Sequence, residues 1–332
     1  MILAGDLGGT KTLLALFDEG ERQARFQRSF SSAGYTSLEA MVETFLSEAR
    51  AEGLTVRLTA ACVGIAGPVL EQKSQLTNLS WGIDGAQLRQ TLGIEKVWLL
   101  NDLEALGYSL DWLRPEQLVT LQEGTAREGN AVILAAGTGL GESTLFWSQG
   151  RWTPSASEGG HTDFAPRAEW EVELWRFLSS RYGGHVSYER IVSGQGFTDL
   201  YEQLVTQGWT ASPEVVVQVE AARLAQVSPT PVISEAGLRG TCPVCVEVVR
   251  RFVSIFGAEA GNAALKSLAV AGVYLAGGIP PRLLSALQEG TFMEAFLDKG
   301  RFRGLLSQLP VRVVLEPEAG LLGAAFFASQ RL

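Results

Sequence analysis

Two rhythms of apolar and polar positions run along the 332 residues. Short runs in which nearly every position is apolar predict buried strands: Ile2 to Ala4, Leu13 to Phe17, Leu58 to Ala66 stopped by Gly67-Pro68, and Lys96 to Leu100 ending on Asn101-Asp102. Between them Leu38, Met41, Val42, Phe45, Leu46 and Ala49 recur at helical spacing behind a capping-box pattern of Thr36 and Glu39. Val246, Val249, Phe252, Val253 and Phe256 repeat that spacing further on. Strands alternating with helices predict an α/β fold.

Three strand runs are broken in the same way. ILAGDLGGTKTLLALFD, from Ile2, reads as a hairpin in which Gly8-Gly9 supplies positive φ to a tight connection. A hairpin does not require Asp6, Thr10 and Thr12 around its turn. A turn that points successive backbone N–H groups into one concavity, with glycine admitting close approach, makes a phosphate cradle. AVILAAGTGLGESTLFW, from Ala131 to Trp147, repeats strand, glycine-threonine turn and strand, and GVYLAGGIPPRLL, from Gly272, ends its strand on Gly277-Gly278. Two cradles suit one polyphosphate; repeated hairpins alone account for the same pattern.

Composition narrows the classes. The apolar fraction is 46%, no apolar run approaches bilayer length, and Met1 leads into a strand without a basic leader region. A net charge of −9 with no Lys/Arg block excludes a phosphate-backbone footprint, so no nucleic acid and no membrane are expected as partners. Three cysteines, an odd and low count, argue for a reducing compartment. Cys242 and Cys245 lack a second ligand pair at zinc-finger spacing and are expected to be buried at a helix start, with no metal site.

The polar candidates cluster in three places. Asn101 and Asp102 stand at the carboxyl end of a strand, where open α/β sheets place ligands; the same residues suit a helix cap over Leu103 to Leu110. SEGGHTDFAPR, from Ser157, bunches Glu158, Gly159, Gly160 and His161, either as a site or as a solvated loop. Glu189 follows His185, the only other histidine, by four residues, in what reads equally as a surface turn and helix. Acids, amides and one imidazole can ring a polyhydroxyl ligand, and with two cradles they suggest phosphoryl transfer to an alcohol with a carboxylate base.

With these residues in view the chain resembles the bacterial glucokinase family of the hexokinase and actin-like superfamily. The likeness runs through GDLGGT, TNLSW at Thr77 to Trp81, NDLEA at Asn101, GTGLG at Gly137, EGGHTDFAPR, HVSYERIVSGQG, LAGGI, DKGRF and GLLGAA. It implies two ribonuclease-H-like domains, residues 1–110 with 312–332 and residues 111–311, closing on glucose and ATP with Mg. By resemblance Gly5, Asp6, Leu7, Gly8, Gly9 and Thr10 would hold ATP phosphates, facing Gly137, Thr138 and Gly139, with Gly277 and Gly278 near the adenosine. Asn101, Asp102, Glu158, His161 and Glu189 would contact the sugar, Asp102 as base, and Asp6 would be the indirect contact of Mg. Lys11 departs toward the related ROK sugar kinases and repressors, but the cysteine-rich zinc motif those relatives carry after the active-site His does not follow His161. A homodimer in the cytoplasm is expected. The rival readings are a kinase for another hexose or amino sugar and a non-catalytic sugar sensor; an oxidoreductase fails because GTGLGES lacks the G-x-G-x-x-G spacing.

Overall fold

The structure, a computed structural model, describes residues 1–76 and 79–332; Thr77 and Asn78 of TNLSW lie outside the described residues. The chain divides into two compact units: Met1–Pro115 with Ser148–Ala156 and Glu316–Leu332, and Glu116–Trp147 with Ser157–Leu315. Each unit carries a sheet with helices packed on it, the α/β architecture expected.

In the first unit the strand order is Ala24–Ser31, Lys11–Phe17, Ile2–Leu7, Ala60–Ile65, Val97–Asn101. The first three strands are antiparallel, and the last two run parallel to Ile2–Leu7. Side chains of the opening strand alternate between two apolar layers, as strand geometry demands. Leu3 and Leu7 join Met41, Val42 and Phe45 of the helix Leu38–Ala51, while Ile2 and Ala4 join Ala105, Leu321 and Ala324. Burial on both faces is why these strands read as unbroken apolar runs. The Leu38–Ala51 helix begins one residue later than its capping pattern suggested: Ser37, not Thr36, is the cap, and its side chain accepts from the Ala40 N–H at 3.2 Å.

On the second layer the helices Asp102–Ser109 and Ala319–Ser329 cross so closely that a Cβ on Gly323 would lie 1.6 Å from the Ala105 carbonyl oxygen. Gly64 does the same beneath them, since its Cβ would stand 3.0 Å from that of Ala105.

Within the second unit the strands run Leu140–Ser148, Ala131–Ala136, Gly272–Ala276, Val311–Val314, Leu118–Gln122. The second hairpin is as predicted, with Ala136 opposite Leu140. The 25-residue helix Pro243–Ser267 threads the core, where Phe252 stacks on Phe197 at 4.3 Å and Phe256 meets Phe292 edge-on. Cys242 caps this helix and Cys245 lies in its first turn; both are buried, as expected.

Gly323→Ala should therefore force the helix pair apart and cost about 1–3 kcal/mol, read as a lowered urea midpoint. Gly304→Ala, where a Cβ meets nothing within 4 Å, is the control and should hold or slightly raise the midpoint.

Candidate active site

The first cradle closes differently from a glycine hairpin. Neither Gly8 nor Gly9 has positive φ, contrary to expectation. The loop is instead tied from outside. Gly8 N–H donates to the Lys11 carbonyl at 3.0 Å, and Ser32 bonds twice, its N–H to Thr10 O at 3.0 Å and its Oγ to Gly8 O at 2.6 Å. Thr12, which the hairpin reading left unexplained, is fully buried and hydrogen-bonds Ser32 Oγ at 2.9 Å. The need for glycine at position 8 is close approach, because a Cβ there would lie 3.1 Å from Lys11 O. Ser32 went unnoticed in the sequence; nothing in its local pattern marks it.

Asp6 ends the same strand. Burial pushes its carboxyl above the ordinary range, Lys11 pulls it down and Glu318 adds to the rise. It faces the first turn of the Ala319–Ser329 helix, where a Cβ on Gly320 would be 3.4 Å from Oδ2. That end of the helix carries partial positive charge and favours a carboxylate.

Asn101 and Asp102 sit beside this loop. Ile65 pairs with Asn101 and Asp6 with Gly64 in parallel register. Bare Gly64 lies between them: its Cβ position is 3.7 Å from Gly5 O and 3.9 Å from Asp102 Cα. The capping role falls to Asn101. Its Oδ1 accepts from Leu103 N–H at 2.9 Å, Glu104 Oε2 accepts from Asn101 N–H at 3.0 Å, and its Nδ2 donates to Gly67 O at 3.0 Å. Asp102 is the first helical residue, its Oδ1 accepting from its neighbour Leu103.

The second unit gathers the remaining candidates. Glu189 Oε2 accepts from Leu140 N–H at 2.9 Å and fills the space where Gly139 would carry a side chain, 2.3 Å from that Cβ position. Its Oε1 stands 3.7 Å from His161 Nε2, which also lies 3.9 Å from Glu158 Oε2. Backbone bonds from Glu189 N–H to Gly160 O at 2.9 Å and from Tyr188 N–H to Thr162 O at 3.1 Å hold the two segments together. Glu158 and His161 present 75% and 58% of their side chains to solvent, as ligand-reading groups can.

Gly137 to Gly139 form the turn beside Glu189. Gly194 N–H donates to Gly137 O at 2.8 Å, so the first turn of the helix Gly194–Thr206 abuts the cradle, a favourable place for an anion. Gly277, at φ 86°, leans on Ala136, whose oxygen would be 2.4 Å from a Cβ. Ile279 N–H donates to Ala136 O at 3.1 Å. Gly194 was visible as part of VSGQG but had no role read into it. Thr230, whose Oγ1 donates to Gly194 O at 2.5 Å, had no sequence signal.

The pattern of matches decides the family. The glucokinase family model matches residues 3–331. The chain belongs to the glucokinase family. It is 41% identical to the glucokinase of Synechocystis sp. (strain ATCC 27184 / PCC 6803 / Kazusa), with 99% of this chain and 98% of the relative covered. Among solved structures it is similar to a glucokinase from an Antarctic psychrotroph, at 27% identity and TM-score 0.82, covering 99% and 98% of the two chains. A ROK family glucokinase from Streptomyces griseus, in complex with glucose and AMPPNP, shares the fold at 21% identity, TM-score 0.65 and 99% coverage of each chain. The motif-based resemblance is thus borne out, as is the sugar-kinase fold of the actin-like ATPase superfamily. ATP-dependent glucose phosphorylation is the activity this membership supports.

Ser32→Ala removes the Oγ bond to Gly8 O and keeps the backbone bond from Ser32 N–H to Thr10 O. For this glucokinase-family chain the KM for ATP should rise about fivefold, the worth of one hydrogen bond, with the KM for glucose unchanged in initial-rate assays.

Proposed function

We propose that the protein transfers the γ-phosphoryl group of ATP to the 6-hydroxyl of D-glucose, with Asp102 as general base. The observation that carries this reading is the place of Asp102 at the strand end. Asn101 and Glu104 form the capping box, and Asp102, whose Oδ1 shares the Leu103 N–H, is the first helical residue, next to the Gly5–Thr10 loop. Gly5 to Thr10 and Gly137 to Gly139 would hold the phosphates, and Gly277-Gly278 the adenosine side. Asn101, Glu158, His161 and Glu189 would bind sugar hydroxyls. The Streptomyces griseus complex, with a sugar and an ATP analogue together, supports this pairing of substrates.

A magnesium ion fits as a passenger on the nucleotide. Mg²⁺ keeps several waters and is bound largely through substrate phosphates, and Asp6, a carboxyl beside the Gly5–Thr10 loop with Lys11 and a helix terminus around it, would be its indirect contact. Among the described residues no group of three or more His, Cys, Asp or Glu could hold a metal by itself. When bound, the ion would neutralise charge developing on the phosphates. Asp102 accepts the 6-hydroxyl proton as the oxygen attacks phosphorus in line.

The reading further includes a homodimer working in the cytoplasm. Val205, Trp209 and Val216 are 40–44% exposed around a cleft of about 1230 Å³ on the second unit, an apolar surface suited to a second copy. A kinase with three unpaired buried cysteines suits a reducing, ATP-rich compartment. Sedimentation velocity should show a dimer that Trp209→Asp converts to monomer; a wild-type monomer at micromolar concentration removes this part of the proposal.

Asp102→Asn keeps the side chain's size but cannot take the proton. Turnover at saturating substrates should fall about 10²- to 10⁴-fold with an unchanged thermal melt, and the KM for glucose should move far less. Turnover near that of the wild type would remove Asp102 from the chemistry.

A further inference from the structure

Beneath the Glu158–His161 loop lies a buried acid that the mechanism does not use. Glu142, in the strand Leu140–Ser148, is 6% exposed. Its carboxyl presses on Gly159: a Cβ there would be 2.5 Å from Glu142 Oε2 and 3.1 Å from Glu142 Cβ. Glu142 also anchors the loop through its backbone, since Ser157 Oγ donates to Glu142 O at 2.8 Å and Gly159 N–H donates to Ser157 Oγ at 3.2 Å. Oε1 of Glu142 is buried and meets no donor.

The group that faces this carboxyl is another carboxyl. Glu259, on the Pro243–Ser267 helix, is fully buried, and its charge acts on Glu142. Two ionised carboxylates have only acceptors to offer one another, so the repulsion between them is relieved when one holds a proton. Tyr188 also faces Glu259, and burial with the charge of Glu259 holds its phenol well above the ordinary range. Asn262 Nδ2 donates to Glu259 Oε2 at 2.8 Å and to Tyr188 OH at 3.0 Å. Lys266, 59% exposed at its side chain, reaches Glu259 Oε1 at 3.4 Å. Lys299 donates to Asn262 Oδ1 at 2.6 Å, with the Arg167–Glu171 pair acting on it from the other side. Among the described residues the cation paired with these acids is Lys266, and it is largely in water.

We infer that Glu142 is a positioning residue for glucose binding: buried as a neutral acid beside Glu259, its side chain is the surface that seats Gly159 and thereby sets Glu158 and His161. This rests on the sugar-binding role proposed above for that loop. Burial, then the charge of Glu259, raise the Glu142 carboxyl to about 7, with Lys266 opposing. The proton is therefore held below neutrality and lost above it. Loss places two negative charges in one buried space, and the side chain that yields is the one against Gly159.

The test is the pH dependence of the KM for glucose in the wild type and in Glu142→Gln, whose amide is neutral at every pH. The ratio of wild-type to variant KM should rise about three- to tenfold between pH 6 and pH 8.5, while the corresponding ratios for kcat and for the KM of ATP stay level. Every pH effect arising outside position 142 is common to both proteins and cancels in the ratio. A constant ratio for glucose overturns the inference, as does a rise shared equally by kcat and both KM values. Glu259→Gln, read in the same way, keeps the test decisive should Glu142→Gln not fold. Glu158→Gln and His161→Ala separate the two levels of argument: both should weaken glucose binding and leave ATP-analogue binding intact by calorimetry. If they do and the pH ratio is flat, Glu142 alone has been misassigned. If they leave glucose affinity unchanged, the sugar role of the loop falls and takes this inference with it.

Discussion

The place of Asp102 depends on two points where a side chain has no room. Gly64 lets the Ala60–Ile65 strand lie against Ala105, and Gly323 lets the Ala319–Ser329 helix press its backbone on the same turn. The Asp102–Ser109 helix is thus clamped from sheet and helix at once, with its first residue at the end of the strand Val97–Asn101. Packing at this density transmits sub-ångström shifts, so the clamp fixes the carboxylate relative to the Gly5–Thr10 loop.

In the second unit the corresponding constraint is one carboxylate used as backbone. Glu189 accepts the Leu140 N–H and occupies the hollow over Gly139, so the glycine turn and the Glu158–His161 loop share a single side chain. Its other oxygen faces His161. A substitution here would unsettle the GTGLG turn and the imidazole together, so Glu189 belongs to the architecture whatever ligand it meets.

What the sequence made legible follows from how local the cause is. Period and punctuation located both hairpins, the strands Ala60–Ile65, Val97–Asn101 and Gly272–Ala276 and the buried cysteines because each rests on a few adjacent residues, while Ala24–Ser31, Leu118–Gln122 and Val311–Val314 carried no such mark. The positive φ expected at Gly8-Gly9 did not appear because the loop is closed by Ser32, some two dozen residues away, and no local pattern contains that bond. The cap at Ser37 instead of Thr36 is a one-residue slip between two residues able to make the same bond. Glu142 and Glu259 were passed over for the same reason as Ser32: a glutamate in GES or in a helical run reads as solvated until the fold buries it against its partner.

Neighbouring polar residues in this chain divide duties that either could perform. At Asn101-Asp102 the amide forms the capping box and donates to Gly67, while the carboxylate, which shares the Leu103 N–H, stands where the proposed proton transfer would need it. Reversing the order would leave an amide, unable to accept a proton, beside the Gly5–Thr10 loop, and would give the cap an acid with no N–H to donate to Gly67. In the Glu158–His161 loop a like partition separates exposed Glu158 from buried Glu142. The structural reading of each motif is therefore compatible with the ligand role proposed for it, one residue apart at the strand end and in different layers at the loop.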